Sequence, residues 1–133
     1  MFKTSVIILA ALAAVACDQS PAAEETPIGV EWRLEAITSS GTRLVVPTAP
    51  DYTLRLDADG RIAVRSDCNS CGGGYTLAPG TLAVTPLACT RAYCGDTSLD
   101  PRYPQYVSGA RSWETVDGRL IITADDATLS FSR

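Results

Sequence analysis

From Glu31 onward, apolar and charged residues alternate in short blocks separated by turn residues. Trp32, Leu34 and Ala36 alternate with Glu31, Arg33 and Glu35, and Tyr52, Leu54 and Leu56 alternate with Asp51, Thr53 and Arg55. Asp57-Ala58-Asp59-Gly60 then reverses the chain, and Ile62 and Val64 alternate with Arg61, Ala63 and Arg65. A period of two with one charged face marks antiparallel strands that bury one side. A second hairpin is predicted from Tyr75 and Leu77 through Ala78-Pro79-Gly80 to Leu82 and Val84. A third runs from Leu120 and Ile122 through Asp125-Asp126-Ala127 to Leu129 and Phe131.

One stretch departs from this period. Tyr103, Tyr106, Val107, Ala110 and Trp113 are spaced by three and four, which places them on one helical face. Asp100 followed by Pro101 suits an N-cap with proline in the first helical position. The pattern therefore predicts an α+β domain: a mainly antiparallel sheet built from hairpins, with one packed helix over about 101–114.

The beginning of the chain has neither period. Lys3 precedes an uninterrupted apolar run from Val6 to Ala16. The run is shorter than the about 20 residues a bilayer-spanning helix needs, and it has no polar face for a core helix. It reads as a secretory signal over 1–16. Ala14-Val15-Ala16-Cys17 resembles a lipobox, with Cys17 the expected lipidated first residue of the mature protein. Cleavage by the ordinary signal peptidase, which would leave a free thiol at Cys17, is the rival reading. Two or three acyl chains at about 0.8 kcal/mol per buried CH2 make a stable anchor. The polar, acidic, proline-marked segment from Asp18 to Gly29 completes a linker over 17–29, and 30–133 is the expected domain.

Composition removes several functions. The chain carries a net charge of −4 and no His. Lys3 is its one lysine, so loss of the leader would leave −5 and only scattered Arg side chains. No basic stripe forms, and nucleic acid is not an expected partner. Without His, the usual general base, nucleophile activator and commonest metal ligand are all missing. No catalytic residues, cofactor or metal are expected. Two apparent motifs have plainer readings. Around Asp57-Ala58-Asp59-Gly60, a calcium loop would need ligands at Arg55 and Ser66, so a hairpin turn is expected. Gly72-Gly73-Gly74 is followed by neither a Lys nor a helix, so close packing or a bulge replaces a phosphate cradle.

Cys68, Cys71, Cys89 and Cys94 form a C-x2-C-x17-C-x4-C pattern. Four-thiolate zinc, a Cys68/Cys71 redox pair and two disulfides all compete for it. The export signal and the even number favour disulfides. Bridges within each pair would close very small loops, whereas bridges between the pairs constrain the unfolded chain by roughly 3 kcal/mol each. The hairpin from Tyr75 to Val84 returns its ends to one edge, which predicts Cys71–Cys89 inside and Cys68–Cys94 outside.

Trp32-Arg33-Leu34, Asp67-Cys68-Asn69, Gly74-Tyr75 and Thr90-Arg91-Ala92-Tyr93-Cys94, with the later helix and the closing strands, follow an order that resembles the META-domain (HslJ-like) family over 30–133. The resemblance implies an α+β envelope protein, often a lipoprotein, linked to heat or antibiotic stress and in some members to motility or secretion. It brings no catalytic residues, and Cys71 and Cys89 lie beyond the family's minimal pattern. The expected function is a non-enzymatic lipoprotein of the bacterial envelope, lipid-anchored on the periplasmic side. Its expected partners are the membrane and an envelope protein, and the domain itself is expected to be a monomer. Two alternatives stand beside it: a small lysozyme-inhibitor-like lipoprotein, whose acidity would suit a basic enzyme, and a thiol-disulfide oxidoreductase using Cys68 and Cys71.

Overall fold

A computed structural model of the chain describes residues 13–14, 25–47 and 51–133. Cys17 lies outside the described residues. The described elements are β1 (Glu31–Ser39), β2 (Thr42–Val45), β3 (Tyr52–Leu56), β4 (Arg61–Ser66), β5 (Asn69–Ala78), β6 (Thr81–Val84), β7 (Ala88–Cys89), α1 (Arg102–Ser108), β8 (Ala110–Val116), β9 (Arg119–Ala124) and β10 (Thr128–Ser132). All strand pairings within the sheet are antiparallel.

The predicted alternations become strands because each puts its apolar residues on one face. In β3 and β4, Tyr52, Leu54, Leu56, Ile62 and Val64 are buried, while Arg55, Arg61 and Arg65 are exposed. Asp57 to Gly60 makes the turn between them, with Gly60 at a φ of 86° that favours glycine.

The sheet expected from the hairpins curls shut. Its order runs β10-β9-β8-β6-β5-β4-β3-β1, and β1 also pairs with β10, which closes eight strands into a barrel. β2 and β7 are short additions to β1 and β5. An eight-stranded barrel has an interior just wide enough for side chains to fill. Trp32, Leu34, Leu54, Leu56, Leu82, Leu120, Ile122, Leu129 and Phe131 fill this one and are almost completely shielded from solvent. The closure is uneven. β8 pairs with β9 along its whole length, but the register between β6 and β8 consists of the single pair Thr81 and Ser112. Trp113 reinforces that seam through its backbone N–H to Gly80 O (3.3 Å) and its Nε1–H to Ala78 O (2.9 Å).

The helix is half as long as its sequence suggests. α1 ends at Ser108, and residues 110–114 belong to β8. A register shift between Ala110 and Ser112 turns both Ala110 and Trp113 inward, so a bulged strand reproduces the helical spacing of three. Gly109 marks the change: its N–H still bonds to helical carbonyls, and its own carbonyl accepts from Asp125 N at 3.1 Å. Asp100 is not the N-cap either. That position falls to Pro101 without a side-chain bond, because the Asp100 carboxylate is engaged by Asn69. α1 packs against β4, β6 and β9 and inserts Tyr103 and Val107 into the core. Tyr103 meets Tyr52 edge-on at 5.8 Å between ring centroids and donates its hydroxyl to Thr53 O.

Candidate functional site

The triple glycine run lies in β5, where Gly73 faces the returning chain. A Cβ there would stand 3.1 Å from both Leu87 Cδ2 and Thr85 Oγ1. That close approach lets β7 lie on β5, with Cys71 opposite Cys89 and their Cα atoms 4.0 Å apart. These two cysteines are bridged, and the Cys68–Cys94 bridge lies outside them with a Cα separation of 5.6 Å. Cys68 and Cys71 therefore belong to different bridges and do not form one dithiol couple. With all four sulfurs bonded to each other, no thiolate set remains for zinc. Among the described residues, no group of three or more His, Cys, Asp or Glu side chains converges as a metal site.

Between the bridges stands Asn69, almost completely buried. Its amide nitrogen donates to Ala92 O and to Asp100 Oδ2, each at 2.9 Å. Its oxygen accepts from Thr90 Oγ1 and from Ala92 N, each at 2.8 Å. Thr90 Oγ1 in turn accepts from Ser70 N, and Thr90 N donates to Ser70 O. One side chain thus ties both ends of the 90–100 loop to the β5 strand. Farther along, Leu99 N donates to Tyr52 Oη, and Asp100 N donates to Ser98 Oγ. The sequence signalled Asn69 and Thr90 only as parts of the family resemblance, and their pairing needed the fold.

The pinned loop displays Arg91 and Tyr93. Tyr93 is 79% exposed, the most exposed of the large apolar side chains among the described residues. Its hydroxyl donates to Asp96, and that hydrogen bond to the carboxylate holds the phenol above its ordinary pKa. Beside the loop, a groove of about 440 Å³ lies between Leu87–Ala92 and the start of α1. Apolar walls (Leu87, Pro101, Pro104) and polar groups (Arg91, Asp100, Gln105) share its lining. A rigid loop with an exposed aromatic and a cation beside a concave surface is an arrangement suited to binding.

The family model for the META domain matches residues 24–133. No curated protein matches the chain. A protein from Burkholderia xenovorans, solved by NMR, is 26% identical with a TM-score of 0.67, over 96% of this chain and 98% of that one. A second NMR structure is 21% identical with a TM-score of 0.58, over 77% of this chain and 86% of its own. A crystal structure of a DUF4847 family protein from Bacteroides vulgatus shares the fold at 10% identity, with a TM-score of 0.54 over 77% of this chain and 90% of that one. With the match running through the barrel, the bridged loop and the helix alike, the chain belongs to the META-domain family.

Proposed function

We propose that this protein is a non-enzymatic envelope lipoprotein, anchored through Cys17 on the periplasmic side, whose barrel holds out a binding loop toward an envelope partner under stress. The observation that carries this reading is the loop from Thr90 to Asp100. It is tied by the Cys68–Cys94 bridge and the Asn69 hydrogen bonds, yet it leaves Tyr93 79% exposed. Solvating a large aromatic is unfavourable, and exposed Tyr and Arg side chains are enriched among residues that dominate protein–protein binding. Two bridges and one buried amide remove most of the loop's freedom in advance, so little ordering entropy remains to oppose association. The lipid anchor and the acidic linker suit the same role, because they hold the domain near a surface without restricting its orientation.

The test is photo-crosslinking in cells, with a benzophenone side chain at position 93 of the anchored protein. One discrete, reproducible adduct is expected, and Arg91→Ala should weaken it. A probe at Val116, which is exposed at the end of β8, serves as the control. Equal labelling from both positions would reject the loop as the binding element. In parallel, Cys17→Ala should release the protein from membranes or leave it uncleaved. Stoichiometric loss of muramidase activity on adding the purified domain would replace this reading with an inhibitor.

A further inference from the structure

The groove beside the loop contains both signs of charge, and neither is neutralised by a neighbour among the described residues. Arg91 has no carboxylate within ion-pair distance among the described residues, and Asp100 has no cation. Asp100 Oδ2 accepts from Asn69, while its other oxygen has no side-chain partner among the described residues. Gln105 and Ser108 also line the groove, and neither side chain makes a hydrogen bond to a described residue. Facing these polar groups are the apolar surfaces of Leu87, Pro101 and Pro104.

The backbone beneath both charges is fixed. Arg91 sits between Thr90 and Ala92, which are both bonded to the Asn69 oxygen, and two residues beyond the Cys71–Cys89 bridge. Asp100 is held by the same amide, whose nitrogen spans Ala92 O and Asp100 Oδ2. One buried side chain therefore sets the spacing between the cation-bearing and anion-bearing walls. A guanidinium matches a carboxylate with two parallel hydrogen bonds, and a carboxylate receives an ammonium. A dianion such as phosphate would be repelled by Asp100, and a simple cation by Arg91. The volume of about 440 Å³ falls in the range of about 300–1,000 Å³ usual for small-molecule sites.

We infer that this groove binds a short peptide with both termini free, its carboxylate on Arg91, its ammonium on Asp100 and its amide within reach of Gln105 and Ser108. The inference deepens the binding role proposed for the loop, but it is tested by a different measurement. The probe is L-alanyl-L-alanine, titrated into the full mature protein and followed by amide chemical shifts. Saturable shifts at residues 87–92 and 100–108 are expected. Arg91→Gln should weaken binding by about tenfold or more, the scale of one charge-assisted contact. Acetylating the amino end and amidating the carboxyl end should have at least that effect. Asp100→Asn disturbs the Asn69 contacts, so Gln105→Ala, an exposed substitution, serves as the second variant and should weaken binding several-fold with the spectrum of the barrel unchanged. Absence of saturation up to about 10 mM, equal binding by the capped peptide, or full binding by Arg91→Gln would each overturn the assignment. The two readings share Arg91, but Gln105→Ala alters the groove alone. A crosslink from position 93 without dipeptide binding, or dipeptide binding without a crosslink, therefore lets either reading fail by itself.

Discussion

Two buried polar side chains show how much single residues contribute here. Asn69 fills its hydrogen-bonding capacity on both donor and acceptor sides, so truncating it strands Ala92 N and Ala92 O and frees the Asp100 carboxylate. These bonds are partly buried, so each loss falls toward the low end of the about 1–3 kcal/mol that an unsatisfied buried group costs. Asn69→Ala should therefore lower stability by about 3 kcal/mol in denaturant titration. Asn69→Asp should be worse at neutral pH, because it removes both donors and sets a second carboxylate against Asp100. An Asn69→Ala variant as stable as the parent would remove the amide from its place at the centre of the loop. Tyr103 makes a pH-dependent prediction. Complete burial raises its pKa above the ordinary value of 10.0, so the folded state holds the phenol proton after the unfolded chain has released it. Stability is then unaffected below pH 10 and falls as pH rises beyond it, by about 1.4 kcal/mol per pH unit. Tyr103→Phe should lose about 1 kcal/mol near neutrality with the hydroxyl bond to Thr53 O, yet flatten that alkaline decline. Identical slopes for parent and variant above pH 10 would refute the assignment.

Elements with strict alternation were legible in the sequence, and those without it were not. β3, β4, β9 and β10 each have a buried face that the period of two exposes directly. β2 went unseen because all four of its residues are exposed, so no alternation exists to read. β7 is two residues long and is recognisable only by the bridge it carries. Residues 110–114 of β8 fit a helical spacing because the bulge places inward side chains three apart, as a helix turn does. Barrel closure was also out of reach, since pairing β1 with β10 joins residues about a hundred positions apart with no local signal. The nested cysteine arrangement, by contrast, follows from a hairpin bringing its own ends together, which is local geometry. The seam between β6 and β8 has the fewest ladder bonds in the closed barrel and should open first. Amide exchange is expected to be faster across β6 and the start of β8 than across β4 and β5. Trp113→Phe, which drops the bond to Ala78 O but keeps a ring, should lose about 1 kcal/mol and widen that difference. Trp113→Ala should lose about 3–5 kcal/mol. Uniform protection around the barrel would contradict an uneven closure.

At the scale of the whole molecule, the question is which parts depend on the disulfides. Barrel closure rests on the pairing of β1 with β10 and on an interior filled from every strand, and neither contains a cysteine bridge apart from Cys71 at the edge of the core. The bridges instead staple the β7 segment and the 90–100 loop to β5. Their sequence separations are 26 for Cys68–Cys94 and 18 for Cys71–Cys89, loops whose closure restricts the unfolded chain by roughly 3 kcal/mol each in the chain-entropy model. Small domains are stable by about 5–15 kcal/mol in total, so either loss is substantial and both together exceed the lower end of that range. The two bridges should nonetheless fail differently. Cys68→Ser with Cys94→Ser removes the outer tie but leaves Asn69 and the inner bridge, so the barrel should stay folded with its midpoint lowered and the loop amides newly exchangeable. Cys71→Ser with Cys89→Ser also disturbs a buried position, so its loss should exceed that of the outer pair despite the shorter loop. Denaturant titration of both double variants, with amide exchange resolved between β9–β10 and residues 90–100, measures the two effects separately. An unchanged midpoint for the outer pair would show that the Asn69 contacts alone fix the loop. Collapse of protection in β9 and β10 on losing the outer bridge would show that the loop is part of the barrel's cooperative core.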